Sequence, residues 1–349
     1  MATIPSADEP MTDDMAALQA QASRLEREGD WPAADTAYAA VFHASVRGGD
    51  VAPAADAVRG QARIRQQEER WEEAEELAEL SLELAERNGL RQAAARAVNT
   101  CAAIRYFQRQ YGAARTLFEA ALERALDVGD DALIGWACLN LGVVANIRGD
   151  LREARTRYLE GIGSFVRSGD KQNAALVYNN LGMVCADLNE WLEAQVCFER
   201  AIEIAGRMSG NPLLARMYAN RAEPLLRLRK VREARESLDR AEQLALRVGA
   251  HGALSDVARF RGMVSRAEGA LGDAEAHLSR AVEIARDAEL ELEEAEALRE
   301  MGDLQRLRGR GDEARASLER ARELFTRIGA DRDAGRVAEM LWEDEPVAA

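Results

Sequence analysis

The chain is poor in the side chains from which most active sites are built. Its 349 residues include three histidines, four cysteines and two lysines. His43, His251 and His277 share no spacing motif, which argues against a local metal-ligand set or a histidine-centred acid–base pair. Cys101, Cys138, Cys185 and Cys197 form no CxxC pair. A chain of this length needs no disulfide staples, so these cysteines read as small buried hydrophobes in a reducing, cytoplasmic setting. Residues 1–14 have neither the basic nor the apolar stretch of a signal peptide. No run of about 18 apolar residues is present, which excludes a membrane-spanning helix. Gly161-Ile162-Gly163 is followed by no third glycine, so it is not a dinucleotide loop. No cofactor and no metal are expected. Cationic surplus is missing too: the formal charge is −15, which disfavours nucleic acid and anionic membranes as partners. Apart from Lys171 and Lys230 every cation is arginine, a bias typical of a GC-rich bacterial coding sequence.

What the chain does have is a period. Alanine recurs at one constant interval, at Ala34, Ala74, Ala114, Ala154, Ala194, Ala234, Ala274 and Ala314. A fixed period of this length predicts stacked units rather than one globule. Each period carries two helical stretches, as in 131–148 and Leu151–Ser168. They are punctuated by glycine turns such as Gly49-Asp50, Gly149-Asp150 and Gly169-Asp170. A large residue recurs at Tyr38, Phe118, Tyr158, Phe198, Leu238, Leu278 and Leu318. A small one recurs on the first helix at Ala62, Ala102, Gly142, Gly182, Ala222, Gly262 and Gly302. Small residues at fixed places let helices approach closely while large ones fill the gaps. Trp31, Trp71, Tyr111, Leu151, Trp191, Val231 and Leu271 open the second helices and read as packing knobs, which argues against a tryptophan-built ligand box.

These columns resemble the tetratricopeptide repeat (TPR). Leu141-Gly142, Ala154, Tyr158 and Gly161 match its pattern, as do Leu181-Gly182, Ala194, Phe198 and Ala201. The usual TPR period is shorter than the spacing of these alanines, so this chain is similar to the long-repeat members, which include peptide-binding adaptors and bacterial sensor arms. The resemblance implies an all-α, right-handed superhelix over 15–342, of about eight hairpins with a capping helix at 331–342. Val337, Met340 and Leu341 would cover the core end. The tails 1–14 and 343–349 are expected to be disordered.

The resemblance also implies a site. In the family, the column holding Asn140, Asn180 and Asn220 faces the concave groove, where amides grip the backbone of an extended peptide. Asparagine disfavours helix interiors, so three copies in one column ask for a reason. Either they contact a ligand or they brace neighbouring units. Neighbouring groove columns hold Asn99, Asn179, Arg96, Arg216, Asn146 and Tyr106, with Met183, Glu223 and Arg227 beside them. Asn180, Arg216 and Asn220 match part of the family's clamp for a C-terminal carboxylate, but Leu139 and Val143 stand where its first Lys and Asn would be. An internal or acidic segment is therefore expected, with Arg96 and Arg216 selecting acidic side chains. The segment 221–240 is locally basic and reads as a surface balance against Glu223, Glu233 and Glu236. Pro224 within it predicts a kink. The expected function is a non-enzymatic adaptor holding a peptide or protein segment. The alternatives are a self-assembling module, homo-oligomeric through the last helix, and a sensor of a small ligand or peptide.

Overall fold

The computed structural model describes residues 13–208 and 213–343. The tail residues 1–12 and 344–349, and the Ser209-Gly210 turn, lie outside the described residues. The first helix begins at Asp13, inside the expected tail, and the last runs to Glu343. Among the described residues there is no strand. No helix among them is long and apolar enough to cross a membrane.

The chain divides into two compact units, 1–144 and 145–349. The first holds α1 (Asp13–Glu28), α2 (Trp31–Gly48), α3 (Val51–Gln67), α4 (Trp71–Arg87), α5 (Arg91–Phe107), α6 (Tyr111–Val128) and most of α7 (Asp131–Ile147). Successive helices pair as antiparallel neighbours, α1 with α2, α3 with α4, α5 with α6, and α3 packs on α5. The second unit holds the end of α7, then α8 (Leu151–Ser168), α9 (Lys171–Asp187), α10 (Trp191–Gly206), α11 (Leu214–Asn220), α12 (Ala222–Arg227), α13 (Val231–Val248), α14 (His251–Ala267), α15 (Leu271–Asp287), α16 (Glu291–Leu307), α17 (Gly311–Arg327) and α18 (Asp331–Glu343). Here α9 pairs with α10, α11 and α12 with α13, α14 with α15 and α16 with α17.

The periodic residues explain this packing. All eight alanines of the repeating column are fully buried. At Gly182, Gly262 and Gly302 the small column lies under the large residue that follows it in the period. A Cβ on Gly182 would fall 2.8 Å from the Phe198 ring, and one on Gly262 or Gly302 would fall 2.6 Å from Leu278 or Leu318 Cγ. Close approach therefore offsets the roughly 1 kcal/mol that glycine costs inside a helix. Where the small column holds Ala62, the large position has shrunk to Ala78, and the two share one core cluster.

Punctuation is local. Asp30, Asp50 and Asp170 each accept a hydrogen bond from a backbone N–H of the following helix. Gly49, Gly129, Gly169 and Gly249 close helices in the left-handed conformation. Pro224 has no N–H to donate to the carbonyl of Asn220, and the helix is interrupted there, at Arg221, between α11 and α12.

The capping helix has a second engagement. Val337 and Leu341 are buried with Leu318, Leu324 and Phe325, and Met340 packs at the edge of that cluster. On its other side, Arg332 donates to Asp187 of α9 at 2.6 Å and Arg336 donates to the same carboxylate at 3.2 Å.

Candidate functional site

Those two ion pairs seal one side of a cavity of about 680 Å³ within the second unit, inside the size range of ligand pockets. Its walls are columns of the same period as the alanines, carried by the first helix of each pair. One column is Met183, Glu223 and Asp303; another is Asn220, Phe260 and Glu300; a third is Arg259 and Arg299. Asn146, Ile147, Asp187 and Arg227 line the end nearest α7 and α9, and α18 contributes Asp333, Glu339 and Met340. Positions three, four and seven apart share one face of a helix, so α16 brings Glu296, Arg299, Glu300 and Asp303 to one wall.

The apolar part of the wall is Trp191, Phe260, Leu292 and Met340, and the polar part is a dense charge network. Arg259 is nearly buried, pairs with Asp256 at 3.0 Å and Glu296 at 2.8 Å, and lies 4.2 Å above the ring of Phe260. Burial works against its charge, but Glu296 and Asp256 overrule burial and hold the guanidinium firmly protonated. Glu300 takes Arg266 at 3.0 Å and Arg299 at 3.4 Å. Burial would raise its carboxyl, yet Arg299, Arg266 and Arg259 leave it below the usual glutamate range. Three other carboxyls stand above their usual values. Burial raises Glu223, Glu296 and Asp303, and in each case the nearby arginines do not compensate fully. The ion pair of Glu223 is to Arg227 at 3.5 Å, and Arg227 is itself stacked 5.2 Å over Trp191.

The expected site residues do not all meet. Asn220 and Asn146 line this cavity; Asn180 does not. Asn220 Nδ2 donates to Asn179 Oδ1 at 3.2 Å, and Asn179 Nδ2 donates to Met183 Sδ at 3.8 Å. Asparagine here braces α9 against α11. Asn146 Oδ1 is buried with no hydrogen-bond partner among the described residues. Asn99, Arg96, Tyr106 and Asn140 belong to the first unit. Asn99 Oδ1 is likewise buried and unpartnered. Tyr106 packs against the Phe118 and Leu141 cluster and the ring of Tyr111, so it is part of the core. Both arginines expected to select acidic side chains are already engaged. Arg96 pairs with Asp56 at 3.3 Å, and Arg216 pairs with Glu293 at 2.9 Å and Asp256 at 3.7 Å.

Lys230 and Arg232 are held by Gln195 and Glu236, and Arg235 by Glu268. Cys138, Cys185 and Cys197 are buried and Cys101 is half-buried. Burial, with Glu79 next, pushes the Cys101 thiol up to about 11, the opposite of an activated nucleophile. Trp191 departs from its column: Trp31 and Trp71 pack on core clusters, whereas Trp191 faces the cavity.

The residues that sequence reasoning missed are Arg259, Glu296, Arg299, Glu300 and Asp187 with its two arginines. The signal for most of them was present. Phe260 and Glu300 continue the asparagine column one and two periods beyond Asn220, and Asp256 and Glu296 continue the column of Arg96 and Arg216. The contact from α18 to α9 had no signal, because it joins positions 145 apart in sequence.

Comparison with known proteins agrees with this architecture. The tetratricopeptide repeat family model matches residues 133–207. No curated protein matches the sequence. Among solved structures, the apo quorum sensor NprR from B. thuringiensis superposes with a TM-score of 0.64 at 14% identity, covering 90% of this chain and 89% of its own. A Rap protein complexed with competence and sporulation factor gives 0.59 at 13% identity, covering 95% and 97%. BtubC from P. vanneervenii gives 0.54 at 22% identity, covering 69% and 94%. At these identities the likeness establishes an all-α solenoid fold.

Proposed function

We propose that this tetratricopeptide-repeat solenoid is a non-enzymatic binder, and that a peptide or protein segment lies in the cavity of its second unit. The observation that carries this reading is the cavity itself: about 680 Å³, walled by successive first helices. It combines apolar walls at Trp191, Phe260 and Met340 with a buried amide oxygen, that of Asn146, that has no partner among the described residues. A segment of extended backbone offers N–H donors for such an acceptor. Two of the similar structures are named for related roles: one is a quorum sensor and the other holds a sporulation factor. Catalysis fits the site poorly, since Glu296 and Glu300 are tied to arginines.

The test places a photo-crosslinking residue at Met183, on the cavity wall, or at Leu159, which is exposed and not among the cavity's lining residues. Crosslinking is done in the native host and the adducts are identified by mass spectrometry. A segment that crosslinks at 183 and not at 159, and whose capture falls in the Asn146→Ala/Asn220→Ala variant, is the expected result. Adducts at 159 alone, or capture unchanged by the double substitution, overturn it.

A further inference from the structure

The charge of the cavity runs against the expectation of an acidic ligand. Seven carboxylates line it and five guanidiniums. Two of those guanidiniums, Arg332 and Arg336, come from α18 and are engaged with Asp187. Within the remaining wall, Arg259 is matched by Asp256 and Glu296, and Arg299 faces Glu300 and Asp333. Two further carboxylates have one pairing each: Asp303 at 3.8 Å to Arg266, and Glu223 at 3.5 Å to an arginine already stacked on Trp191. Glu223 is half-buried, with its side chain 30% exposed, so it is open to a ligand while less screened by water than a carboxylate on the open surface. Burial, the largest cause, holds the Glu223 carboxyl above the usual glutamate range, because its charged form is incompletely compensated by the arginines around it.

The free hydrogen-bonding atoms complete the picture. Arg259, 8% exposed, has an Nε–H with no partner among the described residues, and so does one terminal N–H₂ of Arg332, Nη1. Their charges are matched, so these N–H groups suit neutral acceptors. Asp187 supplies the precedent from within the chain: one carboxylate on this wall already takes two guanidiniums.

Resting on the groove-binding reading above, we propose that the cavity's ligand is a peptide segment bearing a positively charged side chain. Its guanidinium or ammonium group sits against Glu223, and its backbone carbonyls take the free N–H groups of Arg259 and Arg332. Arg332 and Arg336 then act as internal competitors, since an incoming cation meets the same carboxylate wall that anchors α18.

The experiment pans an equimolar library of pentapeptides, acetylated and amidated at their ends so that only side-chain charge counts. It uses the full chain, its Glu223→Gln variant and a Glu72→Gln/Glu73→Gln control on an exposed face far along the sequence, with folding of each checked by circular dichroism. The expected result is enrichment of Arg or Lys over Asp or Glu at one position by about tenfold, the discrimination that one charge-assisted hydrogen bond supports. That enrichment is largely lost in Glu223→Gln and kept in the control. Enrichment that persists in Glu223→Gln reflects the overall charge of −15 and overturns the assignment. Retention of acidic or uncharged peptides overturns the cation and leaves groove binding standing. A retained pool identical to the input removes groove binding, and this inference with it.

Discussion

Gly262→Ala should destabilise the protein although alanine is the better helix former. Gly262 lies inside α14, where replacing glycine by alanine gains about 1 kcal/mol of helix propensity. Against that, the new Cβ would stand 2.6 Å from Leu278 Cγ, 2.9 Å from its Cδ2 and 3.2 Å from the carbonyl oxygen of Ala274. Leu278 is fully buried, so it cannot swing into solvent, and the Ala274 carbonyl is helix backbone. Overpacking of this kind costs about 1–3 kcal/mol. The net expectation is a loss of up to about 2 kcal/mol, with packing prevailing over propensity. The control is Gly163→Ala in α8, also inside a helix, where the nearest atom to a new Cβ is Arg167 Nη1 at 3.4 Å, the movable end of a long side chain. There propensity should win and stability should rise by up to about 1 kcal/mol. Urea unfolding followed by far-UV circular dichroism reads both midpoints. If Gly262→Ala and Gly163→Ala shift the midpoint upward together, close packing is not the reason for the small column.

Two further outcomes follow from ion pairs. In the first unit Glu26 accepts a forked pair from Arg63 at 2.6 and 2.5 Å and a hydroxyl from Tyr38 at 2.6 Å. Burial would raise its carboxyl, but Arg63 and Tyr38 overrule burial and leave it below the ordinary value of 4.5. A depressed folded pKa means that this stabilisation is complete above the ordinary glutamate range and is lost as pH falls through the folded value. Thermal melts below about pH 4.5 should therefore decline more steeply for the wild type than for Glu26→Gln, and parallel profiles would refute the assignment. In the second unit, Asp187→Asn removes the anchor shared by Arg332 and Arg336. Partly buried pairs of this sort are worth about 1 kcal/mol, so amide exchange in α18 should quicken severalfold while α16 stays protected; unchanged exchange in α18 would refute the anchor.

Much of the fold was legible because a repeat writes its packing rule many times. One alanine column says little, but eight copies in register, each fully buried, leave one architecture. The glycine and large-residue columns were legible as a pair, and the break at Arg221 followed from a single proline. The turns were legible only in part. Glu69, Arg109, Asn189 and Arg229 adopt the left-handed conformation in register with Gly29, Gly149, Gly269 and Gly309. The stacked helices impose that turn even where the residue disfavours it by about 1–2 kcal/mol. The candidate site was less legible. Of the asparagine column, Asn220 lines the cavity and Asn180 does not; the same column carries Phe260 and Glu300 one and two periods beyond Asn220. The role of Asn220 toward Asn179 depends on which amide a neighbouring helix offers, and spacing does not show that.

The amino-acid sequence by itself determined the repeating unit, because helix propensity, capping and small-to-large pairing act within a single period and are restated in each one. It also determined which column of each first helix is unlike the rest. Only the tertiary structure decided which side chains around that column are paired and which are left open. It paired Arg216 and Arg96 internally, left Glu223 and the Asn146 amide oxygen short of partners, and brought α18 back onto Asp187. The reason is physical: the charge of a cavity is the balance of side chains from helices far apart in sequence, and no local rule fixes which of them meet.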